Sequence, residues 1–192
     1  MNMTMTPLCS MLATSGWPFV SQFGAAMALG LAAFGSAVGI GMAGRAAAGA
    51  WAKEAKAGQT LRFTYIILLG LPLSQTLYGF IVMNKLGDVM TTNPALAVTN
   101  VGMMLSVGLA TGIAEMLSAW MQGLIGAAGI RAMSDGEGKG FAFIIIAMGI
   151  VETVGIFAMV FLLGLITKAE AVAEPAGEAV SMLYSNVTAL LC

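Results

Sequence analysis

Histidine is absent from the 192 residues, and cysteine occurs only as Cys9 and Cys192. Those absences remove the usual ligands of zinc and haem. Two cysteines at opposite ends read as small apolar residues rather than as a disulfide framework. Charge is scarce as well: Asp, Glu, Lys and Arg make up 9% of the chain, against roughly 25% in a water-soluble domain. The net charge of -1 leaves no basic stripe for a nucleic acid. Neither GxxxxGK(S/T) nor a GxGxxG following a suitable strand is present, so a nucleotide-binding enzyme is not expected. The first eighteen residues lack the basic start of a signal peptide and are expected to stay in the mature chain.

What the chain has in plenty is apolar length, with 59% hydrophobic residues and a mean hydropathy of +0.92. A membrane-spanning helix needs ~20 mostly apolar residues, and four segments qualify: 18–44, 61–85, 101–130 and 141–167. The expected fold is an all-α membrane protein of four transmembrane helices. It divides into an external N-terminal segment (1–17), a first helical hairpin (18–86), an external connecting loop (87–100), a second hairpin (101–167) and an acidic external tail (168–192). Arg45, Lys53, Lys56, Arg62, Arg131 and Lys139 flank the polar stretches at 51–60 and 133–140, whereas only Lys85 and Lys168 lie on the other side. The positive-inside rule therefore places those two loops in the cytoplasm and both termini outside.

The two hairpins are a tandem repeat. "SAVGIGMAGRAAAGA" at 36–50 lies over "SAWMQGLIGAAGIRA" at 118–132 at a constant offset of 82, matching Ser36 to Ser118, Gly41 to Gly123 and Gly44 to Gly126. With both basic loops on one side, the hairpins are parallel copies, unlike the inverted repeats of many transporters. Small residues crowd the first and third helices, where close backbone approach in lipid favours glycine and alanine. These two are expected to form an inner wall, with the bulkier second and fourth helices outside.

Within the run "IIIAMGIVETVGIFAMVFLLGL" (144–165) stands one carboxylic acid, Glu152. Eleven residues into its helix, it lies ~16 Å deep, near the middle of a ~30 Å hydrocarbon core. Gln122 on the third helix and Ser74 and Gln75 on the second fall at a similar depth. Leu71, Ser74, Gln75 and Tyr78 follow i, i+3, i+4 and i+7, which is one helix face. Pro72 among them lacks an N–H and frees a backbone carbonyl. One carboxylate, two amide oxygens, a hydroxyl and a carbonyl suit a monovalent cation, and a protonated Glu152 would be neutral too. The plain alternative is polar glue between helices. Glu115, two turns from Gln122, is left without an assignment.

At this point the residues resemble a known family. "LPLSQTLYGF" (71–80), "MQGLIGAAGI" (121–130) and "IVETVGIF" (150–157), with the first-helix run at 36–50, are similar to the proteolipid rotor subunit, K or c, of V-type ATPases. The similarity is closest to the bacterial sodium-pumping kind. It implies a ring of identical subunits in a bacterial plasma membrane, turning against a stator subunit that bears an arginine and docking a central stalk. It implies that Glu152 carries the ion, with Gln122, Gln75, Ser74 and the Leu71 carbonyl as Na+ ligands and Tyr78 hydrogen-bonding the carboxylate. Ser74 stands where threonine is familiar, and Leu73 and Thr76 where glycines are. The chain itself is then a non-catalytic, lipid-embedded rotor part. A proton rotor of the same family and a self-contained four-helix carrier or channel are the alternatives.

Overall fold

The computed structural model of the chain describes the backbone of residues 7–191 and the side chains of residues 19–171. Every element in it is helical: α1 (Pro7–Lys56), α2 (Thr64–Gly70), a 3-10 turn (Leu71–Leu73), α3 (Ser74–Thr92), α4 (Pro94–Thr99), α5 (Val101–Asp135) and α6 (Phe141–Leu191). Among the described residues, four stretches are long and apolar enough to cross a membrane: Phe19–Lys56, Thr64–Thr92, Val101–Asp135 and Phe141–Ala171. The second of these is α2 and α3 joined through the 3-10 turn, with Pro72 inside the turn.

The helices outrun the limits that hydropathy sets. α1 continues past 44 to Lys56, because "AAAGAWAKEAK" is rich in strong helix formers that stay helical beyond the lipid. α3 likewise reaches Thr92, so the connecting piece expected as a loop at 87–100 is largely helix. Its break is at Asn93, whose Oδ1 accepts from the Leu96 N–H at 3.1 Å, followed by Pro94 at the first helical position. The segment expected at 1–17 belongs to α1 from Pro7 onward, and the tail from 168 continues α6 to Leu191. Cys9, Cys192, Glu174 and Glu178 lie outside the residues whose side chains are described.

α1 and α5 form the central pair, with α3 laid on α1 and α6 on α5. The central pair runs parallel and in contact at the backbone. A Cβ at Gly108 would overlap Gly24, one at Gly35 would overlap Met116, and one at Gly123 would overlap Gly39. These partners lie 81 to 84 positions apart, close to the repeat offset of 82. Lys53 and Asp135, which pair at 2.6 Å, are 82 apart. Equivalent positions of the two copies therefore face one another. α6 turns its bulk outward, leaving Phe143, Ile150, Phe157 and Phe161 exposed, as expected of an outer helix.

At the end bearing the two turns, α1 is tied to α2. Buried Glu54 accepts from the Arg62 guanidinium, from the Arg62 backbone N–H at 3.1 Å and from the Tyr65 hydroxyl at 2.7 Å. Trp51 Nε1 donates to the Arg62 carbonyl at 2.9 Å. The Arg62 side chain also lies over Gly138 of the second turn, a residue at φ +89°, where a Cβ would be both strained and blocked.

The apolar interior falls into two separate clusters. One, toward the turns, holds Ala43, Tyr65, Leu68, Ile130 and Met148. The other, toward the opposite end, holds Ala28, Val82, Leu86, Met104 and Ile166. Between them lie the fully or almost fully buried Ser36, Gln75, Glu115, Ser118 and Gln122. A polar layer is thus sealed between two apolar plugs.

Candidate functional site

The polar layer begins with a break in a helix. Pro72 cannot continue the α-helical ladder, and the backbone tightens into a 3-10 turn over Leu71–Leu73. The turn brings the Ser74 hydroxyl to 3.0 Å from the Leu71 carbonyl oxygen and 3.2 Å from Gln75 Oε1. Three oxygens therefore cluster where α2 gives way to α3. One helical turn further along α3, the Tyr78 hydroxyl donates to Glu152 Oε1 at 2.9 Å.

α5 supplies the other side. Gln122 is fully buried, and its Nε2 donates to the Met148 carbonyl at 3.3 Å and lies 3.4 Å from Glu152 Oε2. With its amide nitrogen so engaged, Gln122 Oε1 is left buried without a hydrogen-bond partner. A buried amide oxygen normally finds a donor; a cation is the other thing that satisfies it. Glu152, in contrast, is only half-buried, its carboxylate held between Tyr78 of α3 and Gln122 of α5.

The residues singled out from the sequence fall into two hydrogen-bonded groups within the polar layer, Leu71 with Ser74 and Gln75, and Tyr78 with Glu152 and Gln122. The residue that sequence reasoning passed over is Ser118. Its Oγ accepts from Gln75 Nε2 at 3.3 Å and donates to the Val151 carbonyl at 3.0 Å, linking α3, α5 and α6. This fixes the Gln75 amide with its oxygen turned back toward Ser74. The signal was available: Ser118 precedes Gln122 by four residues, on the same face of α5. Its repeat partner Ser36 accepts a parallel bond from Thr76 Oγ1 at 2.8 Å.

Chemically, the layer offers a half-exposed carboxylate, two oriented amides, a hydroxyl and a carbonyl. The described residues contain no cluster of three or more His, Cys, Asp or Glu, the kind of set that holds a transition metal or a tightly bound divalent ion. Hard neutral oxygens around one acid fit a monovalent cation.

Two comparisons with known proteins bear on this arrangement. The ATP synthase C-subunit family matches residues 23–84 and again residues 105–165, one match on each hairpin, starting 82 residues apart. The K subunit of the A-type ATP synthase of Methanocaldococcus jannaschii is 36% identical over 124 residues, which are 62% of this chain and 51% of that relative. The chain spans about half the length of the curated relative it matches.

Proposed function

The chain belongs to the ATP synthase C-subunit family, and on that premise we propose that it is a membrane rotor component with Na+ as its cargo at Glu152. Identical copies assemble side by side into a ring. The ring turns in the membrane against a stator and is coupled through a central stalk to ATP chemistry performed elsewhere. The turns near 51–60 and 133–140 face the cytoplasm, and the termini lie outside.

The observation that carries this reading is the state of Glu152: only half-buried, yet oriented by Tyr78 and Gln122. A residue serving only as glue between helices gains from complete burial, whereas an ion carrier must be both oriented and reachable. Na+ would lie among Glu152, Gln122 Oε1, Gln75 Oε1, Ser74 Oγ and the Leu71 carbonyl. The partnerless oxygen of Gln122 supports a metal cation over a proton alone. With the ion aboard, the site is neutral and crosses lipid without the cost of a bare charge. Opposite a stator cation, which we take to be an arginine, the carboxylate exchanges its ion for an ion pair and releases it. A pathway inside a single chain has little to recommend it, since apolar clusters lie on both sides of the polar layer.

The deciding experiment is carbodiimide labelling of Glu152 in the protein in lipid, across pH and with or without Na+. The reagent attacks the protonated acid. Protection by Na+, in competition with H+, is the expected result. Labelling that follows pH and ignores Na+ would make the ion a proton, and absence of labelling at every pH would remove the carrier role.

A further inference from the structure

Glu115 has no role in the constellation just described. It lies on α5, seven residues from Gln122 toward the end opposite the turns, roughly 10 Å along the helix axis. Its side chain is fully buried, and neither carboxylate oxygen meets a hydrogen-bond partner. Thr111, one turn further along the same face, is also fully buried with its hydroxyl unpartnered. α6 makes room for the acid with a glycine: a Cβ at Gly155 would run into Glu115 Oε2. An acid on one helix thus faces a missing side chain on the next, one turn beyond Glu152.

Among the described residues, no cation pairs with this group. The ionisable side chains near enough to feel its charge are Glu152 on α6 and Tyr78 on α3. α1 contributes none, since residues 19–44 contain no ionisable side chain, and Lys85 of α3 is paired with Glu170. A bare carboxylate in such surroundings costs several kcal/mol even after relaxation, and a second carboxylate nearby adds to the cost. Something must neutralise it. Two carboxylate oxygens and the Thr111 hydroxyl are too few to surround a metal cation. A proton needs only one of them.

We propose that Glu115 is a second cation site in each chain and that its cation is a proton, held while Glu152 exchanges its own ion. The exchange at Glu152 rests on the function proposed above; the occupancy of Glu115 does not. The held proton sets the charge of the layer. With Glu115 neutral, a single negative charge remains, and one monovalent cation balances it. With both acids ionised, the layer would call for two such ions or a divalent one.

The test is infrared difference spectroscopy of the full-length protein in lipid, saturated with Na+ at neutral pH, read at the C=O stretch of a protonated carboxylic acid. The band is expected in the natural protein, absent from Glu115→Gln and retained in Glu152→Gln. Glutamine matches the neutral acid in shape, so the first variant keeps the packing. No such band in the natural protein or in Glu152→Gln, or a band in Glu152→Gln that survives the further change Glu115→Gln, overturns the proposal. Gly155→Ala, which keeps the acid and crowds it, is expected to shift the band, and an unshifted band would refute the placement. Radiosodium binding gives the count: one Na+ per chain in both the natural protein and Glu115→Gln. Two falling to one would show a metal cation, not a proton, at Glu115. No Na+ bound at all, with the band kept in Glu152→Gln and lost when Glu115→Gln is added, would sink the sodium reading of Glu152 and leave Glu115 standing.

Discussion

The Tyr78 hydroxyl reaches across from α3 to stand 2.9 Å from Glu152 Oε1, so a carboxyl that the bundle leaves half-open is steered from the neighbouring helix. A hydrogen bond to a charged group contributes about 1.5–3 kcal/mol. Tyr78→Phe removes it while keeping the ring and its packing. Na+ affinity, read as the Na+ concentration that half-protects Glu152 from carbodiimide, is expected to weaken about tenfold or more. An unchanged midpoint would mean that Glu152 does not need its hydroxyl partner.

Gln75→Leu and Gln122→Leu each delete one neutral oxygen that is proposed above as an ion ligand. Loss of a metal's outer-sphere partner already costs roughly 10–100-fold in affinity, and a direct ligand should cost at least that. The same variants should leave the labelling curve in the absence of Na+ little changed. Equal effects on both curves would point to general disruption of the layer.

Ser118→Ala tests positioning without touching the ion. It frees the Gln75 amide, now bonded to Ser118 Oγ at 3.3 Å, to rotate its oxygen away. One neutral hydrogen bond is worth about 1 kcal/mol, so Na+ affinity should fall about fivefold. Ser118→Thr, which retains the hydroxyl, should restore it. Thermal stability should move little in either variant; a large loss with no change in affinity would make Ser118 purely structural.

Gly108→Ala and Gly30→Ala form a matched pair on the small-residue helices. A Cβ at 108 would overlap the Gly24 backbone, whereas one at 30 meets nothing within 4 Å. Overpacking costs typically about 1–3 kcal/mol. Thermal unfolding in detergent should show a clear loss for Gly108→Ala and none for Gly30→Ala. Equal behaviour would deny that α1 and α5 touch at their backbones.

Hydropathy and spacing made much of this legible. Four apolar runs, the offset of 82, and oxygen-bearing side chains at one depth all follow from helix geometry. Helix ends did not, because a helix made of Ala, Lys and Glu has no reason to stop where lipid does, as at Lys56. Ser118 was missed because a serine among small residues reads as packing until its two partners are seen. Glu115 could be placed in depth but not in partner: only the fold brings Gly155 of α6 against it.

The register of α1 on α5 has one more consequence. Pairs such as Lys53 with Asp135 and Gly24 with Gly108 join residues of nearly equal rank in the two copies, at nearly equal height along parallel axes. The operation that carries the first hairpin onto the second therefore climbs little along those axes. Repeated head-to-tail contacts build an open filament when each step also translates along the axis, and a closed figure when the step is rotation alone. Within a single chain, then, the two copies already stand level, which is the condition that the ring proposed above would need in order to close.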